Sequence, residues 1–291
     1  MNTDKITYLI EAVESGTFTR AAEKLNLTQS GLNRQISSLE SELKTTLIVR
    51  SRKGIRLARG ADKIYERLKT IRKLEKLLDE EISEFHGALC GELAIGAYYS
   101  VAASWLPEVL KEFCKRYPKI KIKIVEGVNK TFLEQMDSGK LDCAFVANPS
   151  KGFDWYPIVE TEYVAWLPPG HPLENKVALR PEDLKNEAMI YPKAHENTDI
   201  DCFFETHHLK PVVKFETQGP ASTFAMVSAG LGVSINNRLQ SESLKGNALI
   251  RSFSPKEKFY LGIMLPPIES ASPATLAFLT LAQKHKKSLT Y

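Results

Sequence analysis

The chain has 291 residues, of which 43% are hydrophobic and 25% are charged, and its formal net charge is +4. That length predicts about two domains, and the composition is typical of a globular protein, which excludes a wholly disordered chain or a fibre. No apolar stretch approaches the roughly 18 residues of a membrane span, and the N-terminus is acidic where a signal peptide is basic and then apolar. We therefore expect a cytoplasmic protein without a membrane partner.

The basic excess lies in the first 60 residues, which carry ten lysines and arginines against six acidic residues. Six of those ten fall between residues 44 and 59. A basic cluster of this density suits a polyanion such as nucleic acid. A solvated surface would have the same composition, so charge alone leaves both interpretations open.

Residues 4–43 have the apolar periodicity of three short helices. Gly16 ends the first helix, and Thr17 or Thr19 can cap the second. Thr28 follows a tight turn and is placed to cap the third, whose opposite face carries amide, hydroxyl and guanidinium groups. A tight turn between the second and third helices is typical of a helix-turn-helix, and such polar groups can contact base edges in the major groove. A plain three-helix bundle is the alternative.

The basic segment that follows favours the DNA-binding interpretation. Its apolar–polar alternation around Gly54 predicts a two-stranded wing with a basic tip. We expect the third helix to contact bases or nearby phosphates and the wing to hold the DNA backbone. The predicted DNA-binding residues are Thr28, Gln29, Ser30, Asn33 and Arg34 of the helix, and Arg50, Arg52 and Lys53 of the wing.

Residues 61–85 predict a different kind of helix, long and without glycine or proline. Apolar residues follow alternating spacings of three and four, as in a heptad seam, with an interruption at Glu75. A long helix with a narrow apolar stripe usually pairs with a second copy, although it could instead pack on its own domain. The predicted dimerisation residues are Ile64, Leu68, Ile71, Leu78, Ile82 and Phe85.

From residue 92 onward strands and helices alternate, which predicts doubly wound α/β sheets. The sequence contains no GxGxxG, GxxxxGK[ST], GxSxG or HExxH motif and no CxxC pair. Nucleotide, hydrolytic, zinc and thioredoxin-like sites are therefore not indicated. We expect a protein that is not an enzyme and that needs no metal or other cofactor.

Several motifs together resemble the LysR-type transcriptional regulators. The runs from Phe18 to Leu25 and from Thr28 to Ile36, followed by Leu39, Glu40 and Leu43, resemble the family's DNA-binding motif. Weaker matches are Ser138 to Asp142, Pro168 to Leu173 and Val227 to Val233, so the resemblance spans nearly the whole chain. The departures are Asn33, where the family usually has Ser, Ile48 in place of Phe, and Ala58-Arg59 in place of Thr-x-Ala. Asn33 changes which bases the helix can contact, since an amide can bind adenine through two hydrogen bonds.

The resemblance implies a sequence-specific DNA-binding regulator switched by a small-molecule effector. It implies an all-α winged helix-turn-helix over residues 1–60, a dimerising linker helix over 61–88 and a two-lobed α/β effector domain over 89–291, similar to periplasmic binding proteins. The first lobe would comprise about 91–163 with 265–291, and the second about 164–264. The family also implies a homodimer that assembles as a homotetramer, a dimer of dimers bound to double-stranded DNA.

By the same resemblance the effector lies between the lobes, and in open α/β sheets ligands bind beyond the carboxyl ends of strands. Helix N-termini near Ser100 and Ser222 favour an anionic group, which predicts a small organic acid. We expect the Ser100 hydroxyl both to cap its helix and to bind the carboxylate. The predicted effector-binding residues are Tyr98, Tyr99, Ser100, Val128, Asn129, Asn148, Tyr191, Lys193, Thr217, Gln218 and Gly219.

The two alternatives to a regulator are a ligand-binding module and an enzyme. A ligand-binding module without a role on DNA would have no use for a helix-turn-helix, and an enzyme on the two-lobed fold would need a catalytic constellation that the sequence lacks. Retention on DNA that falls as salt rises distinguishes the regulator, because neither alternative predicts it.

Overall fold

The computed structural model describes residues 2–51, 54–85, 89–147, 149–192 and 199–286. It divides into two compact units, Met1–Ile82 and Ser83–Tyr291. Within the described ranges, no helix combines the length and the apolar content that crossing a membrane requires.

The first unit is a winged helix-turn-helix followed by most of a long helix. Its elements are α1 (Thr3–Ser15), α2 (Phe18–Lys24), α3 (Gln29–Glu42), β1 (Ile48–Ser51), β2 (Gly54–Leu57) and α4 (Asp62–Phe85). Thr17, and not Thr19, caps α2 by accepting a hydrogen bond from the backbone N–H of Arg20. The three helices, the wing and the long helix all form where the sequence predicts them.

The core of the first unit lies between the inward faces of α1, α2 and α3 and the start of α4. Its fully buried leucine and isoleucine side chains are Ile6, Leu9, Leu32, Ile36, Leu39 and Leu47. Burying one such side chain stabilises a fold by about 1.5–3 kcal/mol. This shared core fixes the orientation of α3 relative to the other helices of the unit.

The wing is tied to the turn between α1 and α2. The backbone N–H of Ile55 donates to the carbonyl oxygen of Gly16 at 2.7 Å. Gly54 has a φ of +118°, and a Cβ there would lie 2.3 Å from the same oxygen. Glycine is required at residue 54 both for this backbone conformation and for this close approach.

The second unit alternates strands and helices, which confirms the α/β prediction. Its elements are β3 (Gly91–Ala97), α5 (Tyr99–Ser104), α6 (Leu106–Arg116), β4 (Ile120–Glu126), α7 (Asn129–Asp137), β5 (Cys143–Val146), β6 (Asp154–Leu167), β7 (Ala188–Pro192), α8 (Asp199–Thr206), β8 (Val212–Thr217), α9 (Pro220–Ser228), β9 (Ser234–Asn237), α10 (Arg238–Glu242), β10 (Leu249–Ser252), β11 (Lys258–Leu265) and α11 (Pro273–Lys284). The periodicity did not reveal α8, α10, β10 or the first part of β6.

Strand β6 connects two lobes. Its first part pairs antiparallel with β11, and its last residues pair with β9 and β10. In the first lobe, which contains the first part of β6, β11 also pairs with β5, and β3 runs parallel to β4 and β5. In the second lobe, which contains the last residues of β6, β7 and β8 form a separate parallel pair.

One expected lobe boundary is wrong. The sequence interpretation placed residues up to 264 in the second lobe, but Gly262, Ile263 and Met264 of β11 pair with β5 in the first. The chain returns to the first lobe before β11, so this strand closes the first sheet between β5 and β6.

Candidate functional site

The exposed face of α3 presents the polar residues that the sequence predicted for DNA contacts. Gln29, Ser30, Asn33 and Arg34 are all exposed, and the opposite face of the helix is in the core. The Thr28 hydroxyl caps α3 as expected, because its oxygen accepts a hydrogen bond from the backbone N–H of Gly31 at 3.0 Å. The first turn of α3 is therefore rigid where its polar side chains project.

Arg50 of the wing is held against α3. Its Nη2 donates to Ser37 Oγ at 3.1 Å and lies 3.7 Å from Glu40 Oε2, and its guanidinium lies 5.7 Å from the centre of the Phe18 ring. Arg50 thus links the wing to α3, a contact that the sequence did not suggest. The other two predicted wing residues, Arg52 and Lys53, lie outside the described residues.

Glu40 joins α3 to the start of β1. Its Oε1 accepts hydrogen bonds from the backbone N–H groups of Leu47 at 2.7 Å and Ile48 at 3.1 Å. A charged acceptor makes both bonds stronger than those between neutral groups. This carboxylate is therefore one of the contacts that position the wing relative to α3.

The exposed apolar stripe of α4 differs from the predicted one at two positions. Leu68 is only 3% exposed and packs in the core of the first unit, so it is removed from the stripe. Leu74 is 58% exposed and joins the stripe, since it lies three residues after Ile71 and four before Leu78. Glu75, at the predicted interruption, contacts Thr3 and Arg72. The remaining predicted members are exposed: Ile64, Ile71, Leu78, Ile82 and Phe85.

A cavity of about 520 Å³ lies between the two lobes of the second unit. The first lobe contributes the ends of β3 and β4, and the second contributes the starts of α8, α9 and α10. This volume is typical of a small-molecule site. The structure places five of the predicted effector-binding residues in its lining: Tyr98, Tyr99, Val128, Gln218 and Gly219.

The other predicted effector-binding residues do not line the cavity or lie outside the described residues. Asn129 is buried and accepts a hydrogen bond from the Tyr98 hydroxyl. Tyr191 is buried and donates to Asp201 at 2.7 Å, and Thr217 is paired with Thr223 at 2.5 Å. Asn148 and Lys193 are among the residues that are not described.

The expectation for Ser100 is wrong in its geometry. The N-cap of α5 is Tyr98, so Ser100 lies inside the helix and is fully buried. Its hydroxyl has no hydrogen-bond partner among the described residues and does not line the cavity. β3 ends at Ala97 as expected, but α5 already begins at Tyr99, so the N-cap position falls on Tyr98 and not on Ser100.

Asp199 is the most unusual residue of the cavity, and the sequence did not point to it. It is 7% exposed, and its Oδ2 accepts a hydrogen bond from Asn237 Nδ2 at 3.1 Å. Burial raises the pKa of the Asp199 carboxyl above its ordinary value, and the neighbouring charge of Asp201 raises it further. Burial and the charge of Asp199 also raise the pKa of Tyr98.

Other lining residues were not among the predicted effector-binding residues: Glu126, Gly127, Ile200, Pro220, Ala221, Ser222, Asn237 and Gln240. Ile200, Asn237 and Gln240 lie at or in α8 and α10, which the pattern did not reveal. The others lie at the end of β4, which was predicted, and at the start of α9, where the sequence indicated a helix N-terminus near Ser222. Among the described residues, no group of three or more His, Cys, Asp or Glu side chains could hold a metal ion.

Family comparison agrees with this architecture. The model for the bacterial regulatory helix-turn-helix proteins of the lysR family matches residues 3–61, and the model for the LysR substrate binding domain matches residues 86–287. The second match alone covers more than half of the chain. The chain belongs to the LysR-type transcriptional regulators, which are DNA-binding proteins with an effector-binding domain.

Individual relatives match over nearly the full length. The chain is 24% identical to the HTH-type transcriptional regulator YvbU of Bacillus subtilis (strain 168), with 98% of each covered. It is 27% identical to the transcriptional activator protein LysR of Escherichia coli (strain K12), covering 91% of this chain and 86% of that one. Among solved structures, a full-length OxyR variant from Pseudomonas aeruginosa superposes with a TM-score of 0.75 at 21% identity, covering 98% and 94% of the two chains.

A second solved structure bears on the fold. Full-length CbnR, a LysR family regulator solved with its target DNA, superposes with a TM-score of 0.66 at 17% identity, covering 98% of this chain and 100% of CbnR. At these identities the structural likeness establishes the fold of this chain and no further property.

Proposed function

We propose that α3 contacts the bases of a specific DNA site and that the wing contacts its backbone. The observation that carries this proposal is the exposed polar face of α3, which projects from a capped first turn while the opposite face is buried. A helix presented in this way fits the major groove. CbnR, a relative of the same fold, has been solved with its target DNA.

Asn33→Ala tests the base-contacting role. Only base contacts distinguish one sequence from another, so this variant should lose roughly 1–3 kcal/mol on the true operator and little on random DNA. The operator is first obtained by selecting genomic fragments with the wild-type protein. Affinity for both DNAs is then measured by fluorescence anisotropy at several salt concentrations.

Lys44→Ala serves as the matched comparison, because Lys44 is an exposed cation of the basic segment outside α3. Loss of a phosphate contact would weaken binding to the operator and to random DNA about equally and would reduce the salt dependence of binding. If Asn33→Ala also weakened binding to both DNAs equally, α3 would not be contacting bases through Asn33.

We further propose that α4 forms the dimer interface through its exposed stripe. Phe85 is 89% exposed and Leu78 is 55% exposed, and large apolar side chains in a continuous stripe favour burial against a second copy. A two-fold dimer would present two α3 helices to a DNA site with dyad symmetry. Assembly of two such dimers into a tetramer is part of this proposal.

Sedimentation velocity tests the interface. The Leu74→Asp and Leu78→Asp double variant would bury charges in the seam and should dissociate the dimer. Lys73→Asp is the control, since Lys73 is exposed and lies outside the stripe. An unchanged sedimentation coefficient for the double variant would remove α4 from the interface.

The cavity between the lobes is the proposed effector site. It brings together loops from the carboxyl ends of parallel strands in both lobes, so a ligand there can alter the closure of one lobe on the other. The N-terminus of α9, with Gly219 as its N-cap and no side-chain cap, suits a carboxylate of a small organic acid.

Ala221→Trp tests the cavity, because Ala221 lines it and an indole would occupy its volume. Ala225→Trp on the exposed face of the same helix is the matched control. Any ligand that changes DNA binding of the wild type should lose its effect in the first variant and keep it in the second. The cavity is not the effector site if both variants respond alike.

A further inference from the structure

Among the described residues, the charged side chains that line the cavity are of one sign. They are Asp199 from the second lobe and Glu126 from the first. Within the described residues, no lysine, arginine or histidine nitrogen lies within 4.0 Å of either carboxylate. The other described lining residues offer hydroxyl, amide, backbone and apolar groups. A ligand in the cavity therefore meets negative charge from both lobes.

The Asp199 carboxylate has a hydrogen-bond donor but no ion-pair partner among the residues that the structure describes. Asn237 Nδ2 donates a hydrogen bond to it at 3.1 Å. The charge of Asp201 has the same sign and raises the pKa of the Asp199 carboxyl further. A buried carboxylate that has donors but no cation is costly in its ionised form. A cation brought by a ligand would remove that cost.

The opposite polarity is found at the start of α9. Gly219 is the N-cap, Pro220 has no N–H, and the backbones of Ala221 and Ser222 lie in the first turn beside the cavity. The helix dipole and the free N–H groups of a first turn favour an anion. The cavity thus has a negative pole at Asp199 and Glu126 and a positive pole at α9.

We propose that the effector is a zwitterion, a small molecule that carries a protonated amine bound by Asp199 and Glu126 as well as a carboxylate bound at α9. An amino acid or a close relative of one has this chemistry. The inference rests on the proposed function, because it takes the cavity as the effector site. It narrows the expected organic acid to one that bears an amine.

Matched ligand triples test the inference on the full-length protein. Each triple shares one side chain: the amino acid, the acid without the amine, and the amine without the carboxyl group. Phenylalanine, hydrocinnamate and phenethylamine form one triple; leucine, isocaproate and isoamylamine form another; the remaining common amino acids complete the panel. Thermal shift finds the ligands that bind, and calorimetry measures their affinity.

At least one amino acid should bind, and its acid partner should bind at least about tenfold more weakly, because it leaves the two carboxylates without a cation. An acid that binds as tightly as its amino acid overturns the inference. A panel in which no amine-bearing member binds overturns it as well.

Variants of the two carboxylates provide an independent measurement. Glu126→Gln, at an exposed residue that should not affect folding, and Asp199→Asn should each weaken binding of the amino acid about tenfold. Glu134→Gln and Asp137→Asn, exposed residues of α7 outside the cavity, are the matched controls and should bind like the wild type. Unchanged affinity in both Glu126→Gln and Asp199→Asn would refute the assigned amine contacts.

Ala221→Trp separates this inference from the proposed function. If an acid binds the wild type as tightly as its amino acid and Ala221→Trp excludes it, the cavity is the site and the zwitterion inference fails. If an amino acid binds Ala221→Trp as tightly as the wild type, the cavity itself is not the effector site.

Discussion

Replacing Glu40 with alanine should loosen the wing from α3. The change removes the shared acceptor of two backbone N–H groups, those of Leu47 at 2.7 Å and Ile48 at 3.1 Å. Hydrogen bonds to a charged group contribute about 1.5–3 kcal/mol each, and water can reach part of the freed backbone, so we expect a loss of about 3 kcal/mol in the free energy of unfolding of the first unit. Glu40→Gln keeps an acceptor oxygen but not the charge and should lose about 1 kcal/mol.

The distribution of tryptophan makes this loss measurable in the intact chain. All three tryptophans, at positions 105, 155 and 166, lie in the second unit, whereas α1 to α3 contribute to far-ultraviolet circular dichroism. In a urea titration the helical signal of the first unit should be lost earlier in Glu40→Ala, and the tryptophan transition should stay in place. Glu23→Ala, at an exposed residue of α2, is the control.

Two results would contradict the reasoning. A helical transition unchanged within about 0.5 kcal/mol would mean that the two N–H groups are equally well bonded to water when the carboxylate is absent. Equal movement of the tryptophan transition would mean that the effect is not local to the first unit.

Three further predictions concern stability and pH. Leu68→Ala should lower the free energy of unfolding of the first unit by about 2–5 kcal/mol in the helical urea transition, because Leu68 is a core residue. A smaller loss would mean that Leu68 is not packed in this core. Gly232→Ala should lower the tryptophan transition by several kcal/mol, because its Cβ would lie 2.3 Å from the carbonyl oxygen of Ala188. Because burial raises the pKa of Asp199 above 3.8, folding favours its protonated form, and the wild type loses stability as pH rises through the folded-state pKa. Asp199→Asn should remove that loss, which amounts to about 1.4 kcal/mol for each unit by which the pKa is raised. In urea titrations from about pH 4 to pH 8, the free energy of unfolding of the variant should therefore rise relative to that of the wild type. A difference that stays constant with pH would contradict the assignment.

Local pattern alone predicted the first unit almost completely. Helical periodicity, the cap at Thr28 and the turn of the wing are each set by neighbours within a few positions, and the structure has all three. The polar face of α3 follows from the same periodicity, because a helix that buries one side must present the other. Alternating strands and helices likewise indicated the α/β class of the second unit.

The tertiary structure decided which residues face one another. Heptad spacing could not show that Leu68 packs in the core of its own unit while Leu74 stays exposed, since both fit a stripe of the same helix. Strand ends predicted the cavity's position, but Asp199 and Glu126 reach it from segments more than 70 residues apart. The periodicity of each segment reflects only its own burial. Which charges share a cavity depends on the packing of the two lobes around β6, and that arrangement exists only in the folded chain.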